Sequence, residues 1–391
     1  MLIVQKYGGS SVADKAAVQN AASRIAESFR EGNKVVVVVS AQGNTTDELL
    51  KYASDMNPEA SERELDMILS TGEQLSAALM AITLNAMNIP AISLNAWQLG
   101  VVTTENYGNA KIEAVCSERI KEELEKGNVV IAAGFQGINK NGDITTLGRG
   151  GSDTTAVALA AALEADKCEI YTDVDGVFTA DPRVVKDAVK LKSISYEEML
   201  DYTTMGAKVL HNRSVELAKR YNVPLTVRSS FSKNEGTSVC AEGGHRVVSG
   251  IASDKNTALI SITEMDNIPG AANGVFSLLA KKGISVDIIL CSGTGEISFT
   301  VAKRDMKAAV ETIKGSVKGK IETNDRLSKV SVIGAGLETN PGVVSSLLEA
   351  IYEENINIEM ITTSEIKISL LIDKNDEERA VRAIHNKFIK H

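Results

Sequence analysis

The chain begins with MLIVQKYGGSS (residues 1–11), an apolar strand that breaks at a pair of glycines and leads into a helical pattern near Val12. Gly8 and Gly9 allow backbone N–H groups to approach an anion closely, and the N-terminus of the following helix adds partial positive charge. Lys6, at the end of the strand, supplies a full charge at the same place. The stretch predicts a phosphate-binding turn in an α/β fold, although a surface lysine beside a flexible turn would give the same pattern.

Length and composition limit the classes of protein. The 391 residues are too many for one ordinary domain, so two or three domains are expected. Hydrophobic residues make up 43% of the chain and aromatic residues only 4%, which predicts aliphatic cores. The net charge is −9, and no Lys/Arg cluster with interleaved aromatic residues occurs, which argues against nucleic acid as a partner.

The cysteines predict a reducing compartment. They are scattered, without a C-x-x-C pair or a neighbouring histidine at metal-ligand spacing, at Cys116, Cys168, Cys240 and Cys291. This pattern is typical of reduced thiols in a cytoplasmic protein, and it predicts neither a disulfide framework nor a metal site. The longest apolar runs, such as Val35–Val39, are too short to cross a bilayer, so no membrane partner is expected.

Residues 1–230 alternate short aliphatic runs with helical patterns and are expected to form one domain. The strand-like runs are Leu2–Gln5, Val35–Ser40, Ala91–Leu94, Val129–Ala133, Glu169–Thr172 and Leu225–Val227. The helical patterns include Ser61–Met87, with a capping box at Ser61-x-x-Glu64, and Ile112–Lys126, Asp153–Ala165, Tyr196–Thr203 and Leu210–Tyr221. Strands apolar on both faces predict a parallel sheet covered by helices on both sides. Ligands of such sheets bind at the carboxyl ends of strands, where Lys6, Ser40 and Asp173 fall.

The second part of the chain contains an internal repeat, after an expected linker at 231–244. Pro269-Gly270 matches Pro341-Gly342, and residues 283–289 match 355–361. Each copy reads strand, helix, strand, strand, helix, which is the ferredoxin-like order. The second copy lacks a strand, and Val247–Ser253 is the predicted donor. One small domain (258–325) is therefore expected inside the other (245–257 with 326–391).

Five further segments carry polar or charged residues at predicted turns, where each could also be an ordinary loop or a solvated helix face. They are Val39–Thr46, Ser70–Gln74, Gly148–Thr155, Tyr171–Arg183 and Met205–His211. In the third, an arginine stands between glycines, which favours a binding loop in which Ser152 or Asp153 caps the next helix. In the fourth, the acids needed to complete an EF-hand are absent. His211 is interpreted as a packing residue.

Taken together, these motifs resemble those of the monofunctional bacterial aspartokinases. The matching segments, in family order, are KYGGSS (6–11), VSAQGNTTD (39–47), STGEQ (70–74), GRGGSDTTA (148–156), YTDVDGVFTADPR (171–183) and MGAKVLH (205–211). The resemblance covers the whole chain. It implies an amino-acid-kinase domain with a parallel sheet and helices on both faces, followed by two ferredoxin-like ACT domains, one inserted in the other.

The resemblance implies ATP-dependent phosphorylation of the side-chain carboxylate of L-aspartate, the first step toward lysine, threonine and methionine. It assigns catalytic roles to Lys6 and Asp153. The residues that it assigns to the substrate are Ser40, Thr46, Glu73, Arg149, Gly150, Gly151 and Ser152. The residues that it assigns to ATP are Lys6, Tyr7, Gly8, Gly9, Ser10, Thr172, Asp173, Phe178, Arg183 and Lys208, with Ser40 beside them.

These roles agree with the chemistry of phosphoryl transfer. A carboxylate with a pKa near ~4 is already ionised at pH 7, so the attacking group needs no general base. The obstacle is repulsion between an anionic nucleophile and ATP. Lys6, Arg149, Lys208, glycine N–H groups and Mg²⁺ are expected to offset it. No protein ligand of Mg²⁺ is predicted.

The ACT repeats imply feedback regulation by an end-product amino acid, lysine or threonine, or else a purely dimer-forming role. The expected effector contacts on one side are Asn267, Gly270 and Ala271, facing Asn355, Ile356, Asn357, Thr362 and Glu365. Residues 241–250 contain no methionine from which a separate small subunit could start, so a homo-oligomer is expected. The alternatives are another carboxylate kinase of the same superfamily and an amino-acid sensor with an inactive kinase domain.

Overall fold

The computed structural model describes residues 1–204, 209–243, 246–265, 268–293, 295–316, 319–337 and 339–389. These residues form two compact units, the first made of 1–178, 190–204 and 209–243, and the second of 179–189 and 246–389. The predicted domain of residues 1–230 thus differs from the first unit in two places: segment 179–189 belongs to the second unit, and the first unit continues past residue 230 to 243.

The strands of the first unit are β1 (Leu2–Tyr7), β2 (Lys34–Val39), β3 (Ala91–Leu94), β4 (Val101–Thr103), β5 (Ile112–Val115), β6 (Val129–Ala133), β7 (Gln136–Ile138), β8 (Ile144–Thr146), β9 (Lys167–Thr172), β10 (Ser193–Ser195), β11 (Leu225–Ser229) and β12 (Thr237–Cys240). Its helices are α1 (Lys15–Arg30), α2 (Thr45–Met56), α3 (Glu62–Ala86), α4 (Ala96–Leu99), α5 (Glu118–Glu125), α6 (Gly151–Ala162), α7 (Tyr196–Thr204) and α8 (Asn212–Tyr221).

An eight-stranded sheet forms the centre of the first unit, in the order β10-β12-β11-β9-β1-β2-β6-β3. The strands from β11 to β3 in this order are parallel, which confirms the predicted sheet. Alternate residues of a strand point to opposite faces. One face packs against α1 and α3, while α6 packs on β1, β2 and β9. Val35–Val39 of β2 are at most 1% exposed, and burial of each side chain contributes about 1.5–3 kcal/mol.

Three local predictions in the first unit were wrong. Residues 112–115 form β5 because they pair antiparallel with β4, the strand that precedes them in the chain; only Glu118–Glu125 of the predicted helix is helical. Ser61 precedes α3 but makes no capping hydrogen bond, since Glu64 pairs with Arg63 at 2.7 Å. The expected linker 231–244 contributes β12 to the sheet.

The second unit contains β13 (Gly250–Thr263), β14 (Val286–Ser292), β15 (Glu296–Ala302), β16 (Lys320–Ile333), β17 (Ile358–Thr363) and β18 (Lys367–Asp373), with α9 (Ala271–Lys281), α10 (Met306–Ile313), α11 (Gly342–Glu353) and α12 (Glu377–Phe388). Its six strands form one sheet, β14-β15-β13-β16-β18-β17. The long strands β13 and β16 serve both repeat copies. Gly250–Asp254 pairs with Lys329–Ile333, which gives the second copy the strand it lacks, as the sequence predicts.

Segment 179–189 packs inside the second unit. Ala180 and Val185 belong to the same buried cluster as residues of α11 and α12. The Ile251 N–H donates to the Thr179 carbonyl at 2.7 Å, and the Thr179 hydroxyl lies 2.9 Å from Nε2 of His385. A segment that sequence motifs join to the first unit therefore completes the core of the second.

Among the described residues, α3 is the one helix that is long and apolar enough to cross a membrane by length and composition. The prediction from apolar runs alone overlooked it. The helix carries two buried carboxylates, Asp66 and Glu73, and half of its most apolar window is buried within the protein. These features are typical of a core helix.

Candidate active site

The glycine turn after β1 joins two neighbouring segments. The Gly8 N–H donates to the Tyr171 carbonyl at 3.2 Å, which fixes the turn to the end of β9. The Gly43 N–H donates to the Gly9 carbonyl at 3.1 Å. A Cβ atom at Gly9 would lie 2.9 Å from the Ala41 carbonyl oxygen, so only glycine allows this approach. The first and second sequence motifs thus lie side by side.

The predicted contribution of a helix dipole at this turn was wrong. Residues Gly9–Val12 form a short 3-10 turn, and α1 begins only at Lys15. The Asp14 carboxylate caps α1 by accepting a hydrogen bond from the Ala17 N–H at 2.8 Å. Because an acidic side chain already occupies this helix terminus, positive charge at the turn comes chiefly from Lys6.

Lys6 and Asp153 form an ion pair at the carboxyl end of β1. The Lys6 ammonium lies 2.7 Å from Oδ1 of Asp153, and both side chains are 12% exposed. The predicted capping of α6 by Ser152 or Asp153 was wrong, because Gly150, in the left-handed region, precedes the helix and no side chain caps it. The Asp153 carboxylate therefore makes no capping hydrogen bond and pairs with the Lys6 ammonium.

Glu73 is a buried acid close to this pair. It is 3% exposed, and its Oε1 accepts a hydrogen bond from the Ala41 N–H at 3.0 Å, while Oε2 has no partner among the described residues. Burial raises the pKa of Glu73 to about 7, against the opposing effects of the Ala41 hydrogen bond and of Lys6. Gly72 allows α3 to pack closely against the segment after β2, since a Cβ atom at Gly72 would lie 2.8 Å from the Cβ atom of Ala41. A buried carboxylate with an unpartnered oxygen suits a cationic ligand.

Glu73 should make stability depend on pH. Its folded-state pKa, about 7, exceeds the ordinary 4.5, so its contribution is complete below pH 4.5 and is lost as the pH rises through 7. We expect Glu73→Gln to raise the free energy of unfolding relative to wild type by on the order of 3 kcal/mol at pH 8.5, and by much less at pH 5. Urea unfolding at both pH values measures this, with the exposed Glu64→Gln as the control on the same helix. An equal difference at both pH values would contradict it.

The arginine loop (residues 148–151) lies between β8 and α6. Gly148 and Gly150 have φ of 75° and 73°, and Arg149 is exposed. Ser152 is buried against Gly134, where a Cβ would lie 2.8 Å from that of Ser152. The loop therefore presents a guanidinium to solvent beside a buried hydroxyl.

His211 packs against this loop, as the sequence predicts. A Cβ at Gly150 would lie 2.2 Å from Cγ of His211. Burial lowers the pKa of His211, the nearby Arg149 lowers it further, and Asp153 opposes both. A neutral, packed imidazole follows at pH 7.

Residues 172–178, the first part of the segment that the sequence analysis assigns to ATP, are held by hydrogen bonds to residues 230–237. The Ser230 hydroxyl donates to the Thr172 carbonyl at 3.1 Å, and the Ser232 hydroxyl donates to Asp175 at 2.5 Å. The Val177 N–H donates to the Thr237 hydroxyl at 2.9 Å. Residues 230–237, which carried no functional prediction, thus support the loop; no sequence motif marked them.

Other predicted ATP and substrate residues lie as follows. Thr172 and Phe178 are half-buried, Asp173 is exposed, and Thr46 is half-buried at the start of α2. Arg183 belongs to the second unit, where its guanidinium pairs with Asp181 at 2.6 Å and is 90% exposed. Lys208 lies outside the described residues.

Phe135 was missed by the sequence analysis. It has φ of 69°, which is a strained conformation for a bulky residue. Its ring packs against Gly151, because a Cβ atom at Gly151 would lie 2.8 Å from Cδ2 of Phe135. Its N–H donates to the Thr155 hydroxyl at 3.1 Å, and its carbonyl accepts from the Leu147 N–H at 2.8 Å. Backbone strain of this kind is invisible in a sequence.

The predicted effector residues separate into two groups in the second unit. Gly270 and Ala271 lie at the start of α9, which follows β13 beyond its last residue, Thr263. Thr362 lies on β17 and is aligned, across β18 and β16, with Ala252 near the opposite end of β13. At about 3.3 Å per residue the 14 residues of β13 extend over ~45 Å of strand. One chain cannot bring both groups onto one small ligand. Asn267 lies outside the described residues.

The second copy has a cavity of its own. It has a volume of about 470 Å³ and is lined by Leu337, Pro341, Val344, Thr363, Ser364, Glu365 and Ile368. Of the predicted effector residues that the structure describes, only Glu365 lines this cavity. Asn355, with φ of 53°, and the exposed Asn357 lie near the start of β17, and Ile356 is buried.

Comparison with known proteins identifies the family. The profile of the amino acid kinase family matches residues 1–229, and that of the ACT domain matches 260–316 and 330–388. The aspartokinase of Corynebacterium glutamicum is 47% identical to this chain, over 99% of this chain and 96% of that protein. The chain belongs to the aspartokinase family. The resemblance stated from the motifs is confirmed.

Solved aspartokinase structures share the fold. The crystal structure of E. coli aspartokinase III in complex with aspartate and ADP, in the R-state, matches with a TM-score of 0.86 at 26% identity, covering 99% of both chains. The same enzyme in complex with lysine and aspartate, in the T-state, matches with a TM-score of 0.80 at 26% identity and the same coverage. The predicted fold class is therefore confirmed.

Proposed function

We propose that the chain transfers the γ-phosphoryl group of ATP to the side-chain carboxylate of L-aspartate, giving 4-phospho-L-aspartate and ADP. The observation that carries this proposal is the Lys6–Asp153 pair, at 2.7 Å, beside the buried, half-partnered Glu73. A cation for a phosphoryl group and an anion for an ammonium group are what this reaction needs. The E. coli relative that binds aspartate and ADP supports the assignment.

In the proposed mechanism, an aspartate carboxylate oxygen attacks the γ-phosphorus and ADP leaves with the electron pair of the broken P–O bond. The carboxylate is already ionised, so no proton has to be removed. Lys6 stabilises the charge on the transferring group, and Asp153 holds Lys6 in place. Glu73 binds the substrate ammonium, while Arg149 and Ser152, with the amides of Gly150 and Gly151, hold its carboxylates; Thr46 and Ser40 position it.

ATP is assigned to the turn at Tyr7–Ser10 and to the loop that begins with Thr172 and Asp173, with Phe178 and Lys208 as further contacts; the role of Arg183, which belongs to the second unit, stays a prediction from the motif. The described residues contain no cluster of three or more His, Cys, Asp or Glu side chains that could hold a metal. We propose that Mg²⁺ would enter with ATP and be held mainly by the phosphates and by water. When bound, Mg²⁺ neutralises phosphate charge.

We also propose regulation and assembly through the ACT repeats. The E. coli relative binds lysine in its T-state, which supports lysine as an effector here; threonine is a second candidate. Because Gly270 and Thr362 lie at opposite ends of the β13 ladder, an effector site that uses both requires a second chain. We therefore propose a homo-oligomer, and the pattern of scattered cysteines leads us to propose a cytoplasmic location.

The decisive experiment measures ADP release with ATP, Mg²⁺ and L-aspartate, with hydroxylamine present to trap the acyl phosphate as a hydroxamate. We expect aspartate-dependent turnover, inhibited by lysine, by threonine or by both together. Turnover without inhibition would remove the proposed effectors. Absence of aspartate-dependent turnover in folded, ATP-binding protein would overturn the proposed reaction, and turnover with another carboxylate substrate would then identify a different kinase.

A further inference from the structure

Asp66 is a buried carboxylate to which the reaction gives no role. It lies on α3, is 0% exposed, and has no lysine or arginine within ion-pair distance in the described part of the chain. Burial of an unpaired carboxylate is costly unless hydrogen bonds compensate. Its retention in the core therefore calls for a specific set of partners.

Two segments supply those partners. The Gly108 N–H donates to both oxygens of Asp66, at 3.1 Å and 2.9 Å. Thr146 donates its N–H to Oδ2 at 2.9 Å and its hydroxyl to Oδ1 at 2.5 Å. Burial raises the pKa of Asp66, while the hydrogen bonds from Thr146 and Gly108 oppose that shift. One side chain thus connects α3 to both segments.

Both segments form the base of the arginine loop. Thr146 ends β8, three residues before Arg149. Gly108 packs against the start of the loop, since a Cβ at Gly148 would lie 3.0 Å from the Gly108 carbonyl oxygen. Arg213 also connects the two segments, because its guanidinium donates to the Leu147 carbonyl at 2.9 Å and to Oδ1 of Asn109 at 2.6 Å. The base of the loop is therefore fixed on α3.

The same helix carries Glu73, seven residues beyond Asp66, which is about two turns along and on the same face. We infer that Asp66 is a positioning residue that fixes the arginine loop relative to Glu73, and thereby sets the separation between the groups that bind the two ends of the amino-acid substrate. This inference rests on the proposed function of Glu73 and Arg149. The Gly8–Gly9 turn is held by other partners, the Tyr171 carbonyl and the Gly43 N–H.

The inference predicts a selective loss of aspartate binding. Asp66→Asn turns an amide group toward N–H or O–H donors, so it should raise KM for aspartate at least tenfold while KM for ATP changes less than twofold. Thr146→Val removes only the hydroxyl donor and should raise KM for aspartate about two- to fivefold. Glu123→Gln is the control, because Glu123 is likewise a buried acid, but its partners Arg119, Lys126 and Asn128 lie on α5 and just after it.

Each outcome of these measurements either supports or overturns the positioning role of Asp66. Unchanged KM for aspartate in folded Asp66→Asn, or an equal rise in both KM values, would overturn the inference and leave Asp66 a general stability residue. If Asp66→Asn does not fold, the result for Thr146→Val decides. Wild-type protein is assayed first: no aspartate-dependent turnover would overturn the proposed function and this inference together, whereas normal turnover with an unaltered variant would overturn only the inference.

Discussion

Replacement of Lys6 by Met should lower kcat at least about 100-fold while KM for ATP changes little. The ammonium lies 2.7 Å from Asp153 at the strand end, where we expect charge to develop on the transferring phosphoryl group. A 100-fold loss corresponds to about 2.7 kcal/mol of transition-state stabilisation. Steady-state kinetics with ATP and aspartate varied separately measure both constants.

Two variants separate catalysis from stability. Lys6→Met leaves the Asp153 carboxylate, 12% exposed, without its cation, which destabilises the fold. The double variant Lys6→Met/Asp153→Asn removes that unpaired charge and should recover stability without recovering kcat. Lys34→Met, at the exposed start of β2, removes the same charge elsewhere on the sheet and should leave kcat unchanged. An unaltered kcat in Lys6→Met would remove Lys6 from the mechanism.

Gly150→Ala should reduce kcat/KM for aspartate by at least about 100-fold, since small displacements of binding groups are that costly. Two effects combine at this position. Its φ of 73° disfavours any side chain, and the new Cβ would lie 2.2 Å from Cγ of His211. The loop must move, and Arg149 and Ser152 move with it.

The steric part can be isolated. Gly142→Ala introduces the same methyl group at φ of 82° with no atom within 4 Å, so it should cost about 1 kcal/mol of stability and leave turnover within twofold. Adding His211→Gly to Gly150→Ala removes the Cβ, Cγ and Cδ2 atoms of His211, which would lie 2.2–2.4 Å from the new Cβ, and should recover at least tenfold of the lost kcat/KM. Failure of this rescue would show that backbone conformation alone accounts for the loss.

Local patterns predicted the parallel strands well. The apolar runs that became β2, β3 and β6 matched the structure to within a residue, because buried parallel strands are marked by their own side chains. Prediction was wrong where a partner outside the recognised pattern decided the outcome. Residues 112–115 became β5 through pairing with β4, and Glu64 turned to Arg63 instead of Ser61.

In the candidate site too, the sequence identified residues by their motifs but not by their surroundings in the folded protein. Sequence motifs identified Lys6, Glu73 and Asp153, whose roles remain predictions, but not that Glu73 is buried with one oxygen unpartnered. Asp66 and Phe135 carry no motif, since a buried acid or a strained backbone is defined by its surroundings. The Asp153 carboxylate pairs with Lys6 and does not cap α6, which Gly150 precedes.

By itself, the sequence determined the strand and helix periodicity, the glycine turns, the internal repeat and the family, all of which are apparent from the order and spacing of residue types along the chain. The tertiary structure alone decided that Lys6 meets Asp153, that Asp66 holds Thr146, and that segment 179–189 packs in the second unit. It also placed Gly270 and Thr362 at opposite ends of one ladder. These outcomes depend on distances between residues that are far apart in sequence, and such distances are fixed only when the sheet and its helices pack together.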